Sequence, residues 1–137
     1  MREIKLSLQY ACLKIGIRPY FSIDFDWDAK SALELKDDFE IMFEQGGKTL
    51  SKTFSWRELH HPVTLAEHVR DLFAVKRECA KLGIKVNFEK SEKAFGIMHH
   101  PIAFERHCRF FDSAYVDAQI KSPKVLAVTA NQMFSQW

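Results

Sequence analysis

At 137 residues, 47% hydrophobic and 28% charged, the chain has the composition of a single soluble globular domain and not that of a disordered or fibrous protein. No apolar run approaches the roughly 18 to 20 residues that a membrane-crossing helix needs, and the opening MREIKLSLQYACLKIG alternates polar with apolar residues instead of building a signal-peptide core. The net charge of +2 is unevenly spread: Asp24 to Glu44 carries eight acids against two lysines, a net of −6, and residues 69–124 carry eleven Lys or Arg against seven acids, a net of +4.

In chain order, Ile4, Leu6, Leu8 and Tyr10 alternate with polar residues and predict a strand over 3–13, followed after Gly16 by a second over 18–25. From Asp28 the period changes. Ala32, Leu35, Phe39 and Met42 recur at helical intervals and predict a helix that Gly46 and Gly47 stop. KTLSKTFSW (48–56) reads as a strand. The clearest punctuation belongs to the next helix, which Pro62 or a Thr64–Glu67 capping box would open and Gly83 would close. IKVNF (84–88) predicts a strand, 89–96 a loop or short turn of helix, Pro101 to about Ile120 a third helix, and KVLAVT a last strand before an aromatic tail. The expected fold is α/β or α+β in two layers, one domain over 1–137, with a mixed sheet of about five strands and three helices in the order β-β-α-β-α-β-α-β.

LHHPVTLAEH (59–68) is echoed by MHHPIAFERH (98–107) at a displacement of thirty-nine residues. The same shift aligns two stripes, Leu65, His68, Leu72, Val75, Cys79 and Phe104, His107, Phe111, Ala114, Ala118, which predicts an internal β-α duplication with His68 and His107 as equivalent seam residues. A zinc reading is weaker. Adjacent histidines on extended chain point to opposite faces, and the His61 to His68 spacing matches no finger or HExxH pattern.

Asp24, Asp26 and Asp28 stand at every second position, so a strand would gather their carboxylates on one face, where they could hold a divalent cation. An apolar strand ending in Asp-x-Asp resembles the first motif of haloacid-dehalogenase-type phosphatases and the metal motif of primase-type polymerases. Asp28 departs from the first pattern, which has Thr or Val there, and Ala29 and Leu35 break an EF-hand loop. GxGxxG, P-loop and GxSxG patterns are absent. Cys12, Cys79 and Cys108, odd in number and widely spaced, read as free thiols in a reducing cytoplasm.

The sequence therefore favours a small non-catalytic binding or regulatory module without cofactor. Its acidic helix (Glu34, Asp37, Asp38, Glu44) would dock on the basic groove of a protein partner, such as a nucleic-acid-handling complex, with Trp137 among the surface aromatics that anchor partners. Two alternatives stand beside it: a metal-dependent phosphoryl-transfer enzyme or nuclease using Asp24 and Asp26 with His61 or His100, and a direct nucleic-acid binder through Lys76, Arg77, Lys81 and Lys85. No membrane role is expected.

Overall fold

The computed structural model describes residues 2–21 and 38–136. They form helix α1 (Arg2–Lys14), strands β1 (Arg18–Phe21), β2 (Asp38–Gln45) and β3 (Lys48–Ser55), a one-turn helix α2 (Trp56–Leu59), and the long helix α3 (Pro62–Lys81). Strands β4 (Lys85–Phe88), β5 (Glu92–Ala94), β6 (Ile97–Arg106) and β7 (Arg109–Tyr115) follow, then a one-turn helix α4 (Asp117–Ile120) and α5 (Pro123–Ser135). The α+β class holds, and both sheets are antiparallel: β1-β2-β3 in one, β4-β6-β7 with β5 beside β6 in the other. The chain gathers into two compact units, Met1–Arg70 and Asp71–Trp137, whose boundary falls inside α3. Among the described residues no helix is long and apolar enough to cross a membrane.

Each unit repeats one motif. In the first, α1 ends when the Ile17 amide donates back to the Cys12 carbonyl and the Gly16 amide to that of Leu13, with Gly16 at φ +80°. In the second, Ile84 and Gly83 make the same two bonds to Cys79 and Ala80, with Gly83 at φ +74°. This is the 6→1, 5→2 helix stop, and it turns the chain straight into β1 or β4. A two-stranded hairpin follows, β2–β3 or β6–β7, closed by two consecutive residues at positive φ: Gly46 and Gly47 in one, His107 and Cys108 in the other. A one-turn helix then buries Leu59 or Ile120 and leads to a helix whose first residue is a proline, Pro62 or Pro123. The buried residues correspond as well: Leu65, Ala66, Val69 and Phe73 against Leu126, Ala127, Ala130 and Phe134.

A duplication is thus present, but in a different register from the one that the paired histidines suggest. The helix stops lie 67 positions apart and the helix-opening prolines 61, because the stretch from helix stop to hairpin turn, Gly16 to Gly46 or Gly83 to His107, is six residues shorter in the second copy. His68 sits on α3, whereas His107 sits in the β6–β7 turn at φ +53°. The two are not equivalent.

Four segment assignments are corrected. Residues 3–13 are helical: Leu8, Ala11 and Cys12 are its buried stripe, and the apparent alternation came from Leu6 and Tyr10, which face solvent. Asp38–Gln45, expected at the end of a helix, is a strand that buries Phe39, Ile41 and Phe43 on one face, so Gly46 and Gly47 form a hairpin turn and not a helix end. The expected helix from Pro101 to Ile120 is mostly hairpin, with His100, Ile102 and Phe104 inward on β6. Residues 124–129, read as a strand, are helical behind Pro123. The strand predicted over 22–25 and the helix over 28–37 fall outside the described residues.

Within the second unit the core is aromatic: Phe104 stacks on Phe111 at 4.7 Å, and Phe111 meets Phe134 at 4.9 Å. Arg106 joins three elements by donating to the Leu82 carbonyl at 3.1 Å and to Asn131 Oδ1 at 2.6 Å, with its guanidinium over the Phe134 ring. Phe134 is itself buried, as is Phe54 in the first unit.

A Cβ at Gly16 would meet nothing within 4 Å, so only its left-handed backbone resists substitution. Gly16→Ala and Gly83→Ala are each expected to cost about 1 to 2 kcal/mol of stability, read as a shift in denaturant midpoint without a change in slope. Burial pushes the Cys12 and Cys79 thiols up to about 12, aided at Cys79 by Glu78. Because the raised pKa favours the protonated folded state, the stabilisation is complete below the ordinary value near 9 and is lost as pH rises from there toward 12. A thiol reagent at neutral pH should accordingly modify the exposed Cys108 and reach Cys12 and Cys79 only on unfolding.

Candidate functional site

Several arrangements among the described residues join side chains of chemical interest within one unit. In the first unit, Lys52 lies on the core-facing side of β3 and is only 2% exposed. Its ammonium donates to His68 Nε2 at 2.7 Å and lies 5.4 Å from the Phe54 ring centre. A buried ammonium is costly to desolvate, and the imidazole lone pair of His68 offsets part of that cost. His68 is therefore a hydrogen-bonded, half-buried seam residue, as its place in the sequence stripe predicts.

In the second unit, Ser91, His100 and Asp117 form a chain of three. Ser91 Oγ is 2.6 Å from His100 Nδ1, and His100 Nε2 is 2.5 Å from Asp117 Oδ1. The residue types are those of a hydrolytic triad, but the access is inverted. Ser91 and His100 are each 5% exposed, and the solvated member is the carboxylate. A nucleophilic serine must meet substrate and its base must shuttle a proton; here the hydroxyl is enclosed and both ring nitrogens are engaged. The arrangement instead fixes α4, through its first residue, to the middle of β6.

The third arrangement is a groove of about 390 Å³ in the second unit. Lys76 and Ala80 of α3 form one side, the consecutive residues Ile84 to Asn87 form the floor along β4, and Glu105 and Phe110 close the other side. Lys85, Glu105 and Phe110 are register partners across β4, β6 and β7, so all three project from the same solvent-facing side of the sheet. Phe110 is 66% exposed.

The outer face of the first sheet has the opposite charge. Asp38, Glu40 and Glu44 occupy alternate positions of β2 around an apolar pair, Tyr20 opposite Met42, which are 43% and 40% exposed. Arg18, opposite Glu44, is a basic residue on that face, and the Glu44 carboxylate accepts the Gly47 amide at 2.9 Å.

Against these, the candidates drawn from sequence fall as follows. Asp38 and Glu44 share a face, but of a strand and not of the acidic helix expected. Lys76 and Lys85 meet in one groove, while Arg77 and Lys81 are exposed on α3, with Lys81 paired to Glu78 at 3.1 Å. His61 is exposed ahead of α3, where its carbonyl accepts the Leu65 amide. His100 is buried in the chain of three. Glu34, Asp37, Trp137, Asp24, Asp26 and Asp28 lie outside the described residues. Ser91, Asp117, Tyr20 and Phe110 were missed; strand alternation over 97–115 would have placed Phe110 on an outer face.

No protein-family model matches this chain, and no curated protein matches it.

If Ser91, His100 and Asp117 are a structural brace, His100→Ala should cost about 2 kcal/mol or more, since it opens space in the core and orphans a buried hydroxyl. Ser91 should also stay unlabelled by a fluorophosphonate probe in the folded protein; labelling would mean a nucleophile.

Proposed function

We propose that the protein is a non-catalytic binding module whose first unit presents an acidic sheet face to a basic partner surface. The observation that carries this reading is the arrangement on β2: three carboxylates at alternate positions surround the exposed Tyr20–Met42 pair. Aromatic and methionine side chains ringed by charge are the composition of an interface centre with a polar rim. The carboxylates select a cationic partner and speed its approach, and the apolar pair supplies contact area that water leaves on docking.

A partner that handles nucleic acid fits this chemistry, because its basic groove already accommodates phosphates and the carboxylates of β2 would compete with them. The three free thiols suit a reducing compartment such as the cytoplasm. The acidic surface proposed here is a pleated one, with a rise of about 3.3 Å per residue, so its charges are spaced more widely than on a helix.

Fluorescence anisotropy with an arginine-rich peptide tests the reading. Binding should weaken steeply with added salt, and the Asp38→Lys, Glu40→Lys double variant should lose about tenfold or more. Met42→Ala should weaken binding without changing its salt dependence. Equal affinity of the double variant and the unaltered protein would rule the face out.

A further inference from the structure

The groove of the second unit runs along a strand edge. Among the described residues β4 pairs only with β6. The Glu89 amide donates to the Pro101 carbonyl at 3.1 Å, which fixes the alternation of the ladder: Glu89, Asn87 and Lys85 bond toward β6, and the peptide groups of Val86 and Phe88 point away. Val86, whose peptide groups point away from β6, is among the residues that line the groove. Natural sheets usually blunt such an edge, and an edge lysine like Lys85 is one device for doing so. Here the edge also has a cavity of about 390 Å³ beside it.

We propose that the edge of β4 and its flanking groove are a docking site for an extended, acidic peptide segment of a partner protein, which adds to the sheet as another strand. Main-chain bonding to Val86 supplies affinity independent of sequence, and alternate side chains of the incoming strand supply selectivity. Those on one side reach Lys76 and Lys85, which favour a carboxylate. An apolar side chain lies against Ala80.

Nucleic acid is the competing occupant, since lysines beside an exposed aromatic ring also suit a phosphate and a stacked base. One feature favours the peptide. The floor is main chain aligned for strand pairing, which a nucleotide cannot complete. This site is separate in residues and in charge from the acidic face of the first unit, so either reading can fail without the other.

The probes are short fluorescent peptides alternating valine with glutamate, the same peptide with lysine in place of glutamate, and an oligothymidylate. The glutamate peptide should bind the full-length protein, and Lys76→Glu with Lys85→Glu should weaken it by about tenfold or more. Methylating the alternate amide nitrogens that would face β4 should abolish binding, while methylating the others should not. Val86→Pro, which removes an outward-facing donor and keeps the bonds to β6, should weaken the glutamate peptide as well. Failure of that variant to fold leaves the methylated peptides as the deciding measurement. No binding by the glutamate peptide, equal binding by the lysine peptide, indifference to methylation, or displacement by the oligothymidylate would each overturn the proposal.

Discussion

Both copies of the motif depend on a glycine held at positive φ at the end of a helix. At Gly16 and Gly83 the backbone folds back so that the next isoleucine amide reaches a cysteine carbonyl five residues earlier. An L side chain there pays to enter the left-handed region. That one reversal fixes where β1 and β4 begin, brings Ile17 and Ile84 into the core, and sets the register of the hairpin that packs beside each strand. The buried cysteines belong to the same device: each is a small apolar residue whose carbonyl is the acceptor at the turn. Their conversion to thiolates is opposed by the same burial, which makes them packing atoms and not nucleophiles.

The parts of the fold that were legible in the sequence are those where local signal and tertiary environment agree. Pro62 and Gly83 bracket α3 as read, and KTLSKTFS and KVNF are strands as read. The failures have identifiable causes. Leu6 and Tyr10 are apolar yet exposed, which converts a helical stripe into a false alternation. The β6–β7 hairpin turns on His107 and Cys108 at left-handed φ, without the glycine or asparagine that normally advertises such a turn, so a three-four spacing prevailed over a period of two. In α5 the β-branched Val125, Val128 and Thr129 outweighed a proline start identical in kind to the one accepted at Pro62.

The candidate sites were legible in proportion. The charges at Lys76, Lys85, Asp38 and Glu44 could be seen, because charge needs no fold to be counted. What could not be seen is which of them share a face, since that depends on assigning strand or helix correctly: Asp38 and Glu44 sit together by a period of two. Phe110 became visible only once 109–115 was a strand. Chemistry-bearing residue types were also a poor guide by themselves. Ser91, His100 and Asp117 have the identities of a catalytic set, but the serine and the histidine are buried and only the carboxylate meets solvent.

The proline in β6 has a mechanical consequence. In the ladder its nitrogen faces Glu89, in the gap after β4 has ended at Phe88 and before β5 starts at Glu92, so the missing donor falls where no neighbouring strand requires it. The outer side of the longest strand is thereby served by two short partners with a break between them. Strand β5, all of whose residues are exposed, pairs with Ile97 to His99 and shares no ladder bond with β4, so its local opening would leave the bonds of β4 intact. Slow amide exchange in Ile102 to Arg106 of β6 can coexist with fast exchange in Glu92 to Ala94 of β5, so two paired strands differ in protection.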